Sequence, residues 1–271
     1  MGSRHAPAET LRDLEFARLA ARAAGERVLA LRASGRWQGD ALADVGDQAA
    51  DGFLQGLVQG RHPDDGILSE ETADTRARLD KRRVWIIDPL DGTREFSQLR
   101  EDWAVHVALA IDGRVALGAV ALPARKRTIA GVCIAGEERA DLEGEGELAH
   151  GDSPSHEPPR IAVSRSHTPS WMARFASELG ATQVHSGSVG NKVAMLLLGE
   201  ADLYVHRKGL KEWDTCAPAA VARALGWTVC RLDGSEQIYN QPDPRNEQIV
   251  VCRPSHRERV LEALRTSGAA A

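Results

Sequence analysis

Residues 85–96, written WIIDPLDGTREF, join a short apolar run to two acidic side chains. The first three residues are aromatic or β-branched, which favours a buried strand. Asp88 and Asp91 follow, and the proline between them fixes one φ angle. Gly92 then permits a close backbone approach or a positive φ. The stretch therefore predicts a buried strand that ends in a turn carrying two carboxylates.

This turn can gather oxygen atoms around one point. The two carboxylates, the Leu90 carbonyl and the Thr93 hydroxyl would converge if the chain turns there. Such a donor set suits a hard cation such as Mg²⁺, which keeps some of its waters and shares substrate phosphate oxygens. The alternative is a plain capped turn in which Asp91 starts a helix that continues through Phe96.

A second class of phosphatase uses a similar string of residues. Haloacid-dehalogenase-type enzymes carry D-x-D-G-T, in which the nucleophile and the acid are two residues apart. Here the string is D-P-L-D-G-T, with Asp88 and Asp91 three residues apart and far into the chain. The spacing disfavours a phospho-aspartate mechanism.

Composition narrows the class of protein. The chain has 271 residues, 42% hydrophobic and 27% charged, enough for one large domain or two modest ones. Its net charge of −5 gives no reason to expect a nucleic-acid polymer or an anionic membrane as partner. The N-terminus lacks the apolar core of a secretory signal, and part of it could derive from cloning. The four cysteines are widely spaced and indicate reduced thiols. We expect a cytoplasmic protein.

Hydrophobic periodicity predicts helices and strands in both halves. In the first half it predicts a helix from Thr10 to about Gly35, a second helix beginning near Asp47, and strands at 66–70, 84–88, 103–111, 115–122 and 128–135. In the second half it predicts strands at 161–164, 182–185, 201–206, 228–232 and 248–252, with helices at about 168–180, 188–198 and 214–225. A last helix is predicted to open with a capping box of Ser255 and Glu258. The pattern is typical of an α/β protein.

A segment rich in acidic residues and proline divides these halves. Residues 137–159 hold too little apolar surface to pack alone, so we expect an exposed excursion. It separates an N-terminal α+β domain, residues 1–136, from a C-terminal α/β domain, residues 160–271. The excursion contains Gly144-x-Gly146-x-x-Ala149, formally a dinucleotide fingerprint. We predict no strand before it and no helix after it, and therefore reject that match.

Further carboxylates stand at the ends of other predicted elements. Glu70 and Glu71 close the strand ILSEE, a place where an acidic residue is usually solvated. Asp214 lies at a predicted helix start, where a plain N-cap is the alternative. Asp47 is similarly ambiguous at the start of the second helix.

Three of these segments together resemble a known family. ILSEE at 67–71, WIIDPLDGTREF at 85–96 and EWDTCAPAA at 212–220 match, in order and spacing, signatures of the inositol monophosphatase-like superfamily of lithium-sensitive, Mg²⁺-dependent phosphatases. The similarity spans roughly Asp47 to Cys252. It implies a layered α-β-α-β-α sandwich of the inositol monophosphatase and fructose-1,6-bisphosphatase type, and two or three Mg²⁺ ions.

The resemblance assigns roles by position. The implied metal ligands are Glu70, Asp88, the Leu90 carbonyl, Asp91 and Asp214. Thr93 and Glu70 resemble the pair that orients and deprotonates the attacking water. Asp47 matches the aspartate of a V-T-x-x-D pattern and is included among the catalytic residues. Asp44 replaces the threonine of that pattern, so the shares of Asp44 and Asp47 in a third metal site stay open.

Finer motifs resemble the 3′(2′),5′-bisphosphate nucleotidase branch. They are Arg94-Glu95, VSRSH at 163–167, GSVGNK at 187–192 and KEWDTCAP at 211–218. The implied substrate contacts are Gly92, Thr93, Arg165, His167, Ser188, Gly190, Asn191, Lys192 and Asp214. The turn at 188–192 is also a natural anion seat at a helix start. The alternative is that SRSH is an ordinary loop and Lys192 a solvated helix residue.

The branch implies one substrate and leaves others open. The implied reaction removes the 3′-phosphate of 3′-phosphoadenosine 5′-phosphate. Inositol 1-phosphate and fructose 1,6-bisphosphate are alternatives within the same class. A non-catalytic nucleotide sensor is the alternative from another class, although the ligand set is complete. The sequence leaves open whether the chain forms a homodimer.

Overall fold

The computed structural model describes residues 7–269. Residues 1–6 lie outside this range, so the structure does not describe the N-terminal residues that could derive from cloning. The helices are α1 Pro7–Ala33, α2 Gly39–Arg61, α3 Thr93–Ser97, α4 Met172–Leu179, α5 Val189–Leu197, α6 Glu212–Ala224 and α7 Arg257–Thr266. Within the described part of the chain, no helix has the length and apolar character needed to cross a membrane.

Eleven strands within residues 7–269 form two sheets. They are β1 Gly66–Ser69, β2 Arg83–Asp91, β3 Ala104–Ile111, β4 Arg114–Leu122, β5 Arg127–Val132, β6 Arg139–Glu143, β7 Arg160–Ser164, β8 Thr182–Ser186, β9 Leu203–His206, β10 Thr228–Cys230 and β11 Ile249–Cys252. The first sheet has the order β1-β2-β3-β4-β5-β6, and only its β1–β2 pair is parallel. The second has the order β10-β11-β9-β7-β8 and is mixed.

Three hydrophobic clusters stack these elements in five layers. One cluster packs α1 and α2 on the outer face of the first sheet. A second, the largest, fills the space between the two sheets around α5 and α6. The third packs α4 and α7 on the second sheet. Contact between α6 and β4 is close, since a Cβ on Gly118 would lie 2.9 Å from the Ala217 Cα. The predicted α-β-α-β-α sandwich is confirmed.

Helix boundaries differ from the predicted ones in places that matter for the site. Helix α2 begins at Gly39, so Asp47 lies in its middle and not at its start. The early turns were missed because small and acidic residues obscure their apolar face, on which a Cβ of Gly46 would touch Phe96. Helix α6 begins at Glu212, which makes Asp214 its third residue and not its N-cap. The predicted capping box of the last helix is wrong, because α7 follows a 3₁₀ turn and its N-cap, His256, makes no side-chain cap.

The acidic excursion also contains regular structure. Strand β6 pairs antiparallel with β5 at the edge of the first sheet, where backbone hydrogen bonds compensate for few apolar side chains. The prediction that no strand precedes Gly144 is therefore wrong. No helix lies between Glu143 and Arg160 in this fully described segment, so the dinucleotide fingerprint is still excluded.

Candidate metal and catalytic site

The end of β2 forms the floor of the site. The strand is buried along almost its whole length, and its pairing with β3 shifts register between Asp88 and Asp91. The Leu90 amide donates to the Asp88 Oδ1 at 3.1 Å, which holds this irregular turn. Helix α3 begins only at Thr93, after Gly92 with a φ of 93°. Asp91 is thus a strand residue, and the alternative that it starts a helix is wrong.

Acidic side chains from two distant segments meet at this strand end. One ligand atom each from Asp88, Asp91 and Asp214 lies within 4.8 Å of the others. Asp88 is 1% exposed, and its Oδ2 has no hydrogen-bond partner among the described residues. This oxygen lies 3.8 Å from the His106 Nδ1, too far for a hydrogen bond. A buried carboxylate oxygen without a hydrogen bond, beside two other carboxylates, is costly unless a cation compensates it. The donor set, all oxygen, therefore fits a divalent cation of the Mg²⁺ type.

Crowding of these acids shifts their protonation. Burial, followed by the charges of Asp91 and Glu70, raises the pKa of Asp88 well above its ordinary value. Burial and Asp91 raise the pKa of Asp214 to about 7. Burial of its carboxyl and the charge of Asp214 raise the pKa of Glu70 to about 7, although the residue as a whole reaches solvent. A cation among them would restore the charged forms.

Asp91 behaves in the opposite way. Burial alone would raise its pKa, but His106 and the Gly190 amide outweigh burial and lower it to about 2. The Val189 and Gly190 amides at the start of α5 donate to its two oxygens at 3.0 and 2.6 Å. The positive end of a helix and the neighbouring His106 thus favour the ionised form of Asp91 even without a metal.

Sequence reasoning missed His106, which is fully buried beside these ligands. Its Nδ1 lies 3.1 Å from the Trp213 carbonyl oxygen, and its Nε2 lies 3.2 Å from the Asp91 Oδ2. The Trp213 carbonyl can only accept, so the Nδ1 carries hydrogen, whereas the Nε2 makes no hydrogen bond among the described residues. The pKa of His106 is raised because the charge of Asp91 outweighs the effect of burial. The available signal was the meander, in which His106 is a large polar residue among small even positions.

Asp47, Thr93 and Glu70, predicted to be catalytic, are neighbours in space. The Thr93 hydroxyl donates to the Leu90 carbonyl oxygen at 3.0 Å, and Thr93 also lies near Asp47, whose pKa it lowers less than burial raises it. Burial and the charges of Glu71 and Glu70 raise the pKa of Asp47 to about 8. A proton acceptor with a pKa near neutrality therefore stands next to the threonine.

The predicted anion seat at the start of α5 is already filled by the protein. The Ser188 hydroxyl accepts from the Asn191 amide at 2.8 Å and caps the helix. The Gly190 amide binds Asp91, so it is not free for a substrate phosphate. A Cβ on Gly92 would lie 3.0 Å from the Ser188 Cβ, which explains the glycine there.

The remaining predicted substrate contacts lie at different depths. Lys192 is buried, and its Nζ donates to the carbonyl oxygens of Gly187 and Ser188, so the alternative of a solvated lysine is wrong. Burial lowers its pKa to about 8. Arg165 is exposed and donates to Asp102 at 2.5 Å. His167 is exposed in the loop after β7.

A cleft of about 380 Å³ lies over the ends of β7 and β9. His167, Trp171 and Tyr204 line it, together with residues of those two strands. Tyr204 is buried, and burial followed by the charges of Asp91 and Asp214 raises its pKa well above its ordinary value. The floor of the cleft at Tyr204 therefore lies near the acidic cluster, although the three aspartates do not line the cleft.

Comparison with known proteins identifies the family. The profile of the inositol monophosphatase family matches residues 11–269. A 3′-phosphoadenosine 5′-phosphate phosphatase of Mycobacterium leprae is 42% identical over 254 residues, 90% of each chain. The 3′(2′),5′-bisphosphate nucleotidase CysQ of Salmonella typhimurium is 31% identical and spans 75% of this chain and 82% of its own. The crystal structure of CysQ from Bacteroides thetaiotaomicron superposes with a TM-score of 0.76 at 26% identity, covering 89% of this chain and 97% of that one. The chain belongs to the inositol monophosphatase family, as the three motifs predicted.

Proposed function

We propose that this protein is a Mg²⁺-dependent phosphomonoesterase that hydrolyses 3′-phosphoadenosine 5′-phosphate to AMP and inorganic phosphate. The observation that carries the proposal is the convergence of Asp88, Asp91 and Asp214, where one buried oxygen has no hydrogen bond among the described residues. The Mycobacterium leprae relative, 42% identical over nine-tenths of each chain, bears the name of that activity.

The proposed reaction places water on phosphorus and breaks the bond between phosphorus and the 3′ oxygen. Glu70, Asp88, the Leu90 carbonyl, Asp91 and Asp214 would hold two or three Mg²⁺ ions. These ions would supply charge neutralisation for the phosphate and the departing alkoxide, and would acidify water. Thr93 and Glu70 orient the attacking water for in-line approach, and Asp47 or Glu70 accepts its proton. Bound cations would favour the ionised form of both carboxylates, and an ionised carboxylate can accept a proton.

The cleft supports a nucleotide more than a polyol. A flat base can stack on Trp171, the half-buried ring of the cleft, whereas inositol offers only hydroxyl groups to it. His167 lines the same cleft and can donate to a ring nitrogen or a phosphate. Lys192 is too deeply engaged with backbone carbonyls to be the main phosphate ligand, so we assign it to shaping the α5 turn.

A phosphate-release panel tests the function. We expect the highest kcat/KM with 3′-phosphoadenosine 5′-phosphate, and lower values with inositol 1-phosphate and fructose 1,6-bisphosphate. Release should require Mg²⁺ and be suppressed by Li⁺. Equal turnover in EDTA contradicts the metal mechanism, and a preference for inositol 1-phosphate rejects the nucleotide assignment.

One substitution in the cleft, tested with two substrates, separates nucleotide binding from catalysis. His167→Ala should raise KM for the nucleotide about 3- to 10-fold, because one hydrogen bond to a charged or polar group is lost, and leave kcat nearly unchanged. The same change should not affect turnover of inositol 1-phosphate. Calorimetric binding of the nucleotide without any hydrolysis under Mg²⁺ would favour a sensor. We further propose that the enzyme works in the cytoplasm. The proposal leaves open whether it does so as a monomer or as a homodimer.

A further inference from the structure

One buried carboxylate near the site has no part in the proposed chemistry. Asp51 lies on α2 one turn after Asp47 and is 8% exposed. Its Oδ1 accepts from the Ser69 hydroxyl at 2.5 Å, and its Oδ2 accepts from the Thr72 hydroxyl at 2.8 Å. A carboxylate only accepts hydrogen bonds, so both hydroxyl hydrogens point at it.

These two donors flank the acidic pair of the site. Ser69 immediately precedes Glu70, and Thr72 immediately follows Glu71. Asp51 therefore holds the backbone on both sides of the two glutamates with one side chain. Gln55, the next turn of α2, donates to the Asp51 Oδ2 at 2.7 Å and also to the Thr72 hydroxyl. The Thr72 oxygen thus has both a donor and an acceptor from the helix.

Packing does not hold this loop. Residues 70–77 are all exposed, in contrast to Asp88 and Asp91 on the buried strand. The loop is fixed again only at its far end, where Arg78 is buried, pairs with Asp74 and donates to the Gln241 carbonyl oxygen. Glu70 directly follows β1, in which Ser69 pairs with Ile87 of β2. Beyond that pairing, its placement depends on the hydrogen bonds from Ser69 and Thr72 to Asp51.

We propose that Asp51 is a positioning residue that sets Glu70 for metal binding through its hydrogen bonds to Ser69 and Thr72. The proposal rests on the proposed function in so far as Glu70 is taken as a metal ligand. Hydrogen-bonded partners of metal ligands commonly change metal affinity about 10- to 100-fold when removed. Both Asp51 oxygens accept hydrogen bonds from Ser69, Thr72 and Gln55, so Asp51 acts through the loop.

Two substitutions of Thr72 test the proposal. Thr72→Val keeps the shape and removes the hydroxyl, whereas Thr72→Ser keeps the hydroxyl. We expect Thr72→Val to weaken Mg²⁺ binding about 3- to 10-fold in calorimetric titration of the full chain without substrate. Asp51→Asn should weaken it about 10- to 100-fold. Thr72→Ser should restore binding to within about twofold of the original chain.

A second readout and a matched control complete the experiment. In the metal-free protein, Thr72→Val should speed hydrogen exchange of the amides of residues 70–73, and Thr72→Ser should not. Thr75→Val makes the same substitution in the same exposed loop, on a residue that is not a donor to Asp51, and should change neither readout. Unchanged Mg²⁺ affinity in Thr72→Val, or failure of Thr72→Ser to restore it, overturns the proposal.

The two proposals fail in different ways. If the original chain does not hydrolyse 3′-phosphoadenosine 5′-phosphate while Thr72→Val still weakens Mg²⁺ binding, the substrate assignment fails and the role of Asp51 stands. If the nucleotide is hydrolysed and Thr72→Val binds Mg²⁺ as tightly as the original chain, the role of Asp51 fails and the function stands.

Discussion

The two halves of the carboxylate site are held in different ways. Asp88 and Asp91 project from a buried strand, where His106 and two helix amides contact Asp91. Glu70 lies at the start of an exposed loop that a few side-chain hydrogen bonds tether. Substitutions on the strand should therefore abolish metal binding, whereas substitutions around the loop should weaken it only in part.

The largest effect is expected at Asp91. Asp91→Asn removes a charge from the centre of the ligand set and should lower Mg²⁺ affinity and kcat/KM by more than about 100-fold, beyond the usual effect of an outer partner. Far-UV circular dichroism should show that the fold is retained. Phosphate release across a Mg²⁺ series gives the measurement, and near-normal turnover would contradict the role of Asp91.

The next largest effect is expected at His106. His106→Ala removes the ring that bridges Asp91 and the Trp213 carbonyl, next to Asp214. Mg²⁺ affinity should fall about 10- to 100-fold, as for other partners of metal ligands. His185→Ala, at an exposed histidine on β8, is the matched control and should leave affinity unchanged. Equal affinities in the two variants would show that the strand alone positions Asp91.

The same contrast explains how much of the site the sequence could predict. Asp88, Asp91 and Thr93 lie within one short motif, so their spacing is visible without a structure. His106 and Asp51 act on residues 15 or more positions away, and a lone histidine or aspartate carries no local signal for that. Their roles follow from pairing of β2 with β3, which places His106 opposite Asp88, and from packing of α2 against β1.

The fold shows a similar division. The central strands of the first sheet were predictable because they are apolar throughout, with large residues alternating with small ones. The start of α2 was not predictable, since glycines and aspartates obscure its periodicity. Strand β6 was not predictable either, since an edge strand needs few apolar residues. Stacking of the two sheets around α5 and α6 came from the family resemblance, because contacts between distant segments have no short-range pattern.

A thermal comparison of two neighbouring aspartates probes the strand more finely. In the metal-free protein the pKa of Asp88 is raised and that of Asp91 is lowered, so charge on Asp88 destabilises the fold and charge on Asp91 stabilises it. At pH 7, Asp88→Asn should raise Tm by about 2–6 °C and Asp91→Asn should lower it by a similar amount. In Asp88→Asn the new side chain keeps an oxygen for the Leu90 amide, and its amide group can donate to the surrounding carboxylates. Shifts of the same sign in both variants would contradict the contrast.

The smallest effect is the pH dependence of the metal-free protein. The folded-state pKa values of Asp47, about 8, and Asp214, about 7, lie above their ordinary values, so the folded chain binds more protons than the unfolded chain between about pH 4 and 8. Stability must then fall as pH rises through that window, and Mg²⁺ should restore more of it at pH 8 than at pH 6.

A variant isolates the share of Asp47 in this pH dependence. Burial lowers the pKa of His206, which acts in the opposite direction below about pH 6.5, so the informative quantity is the difference in Tm between the original chain and the variant. Asp47→Asn should flatten the fall in Tm between pH 6 and 8 by about 2–4 °C. Identical Tm profiles for the original chain and Asp47→Asn in EDTA would show that Asp47 is not held protonated by its neighbours.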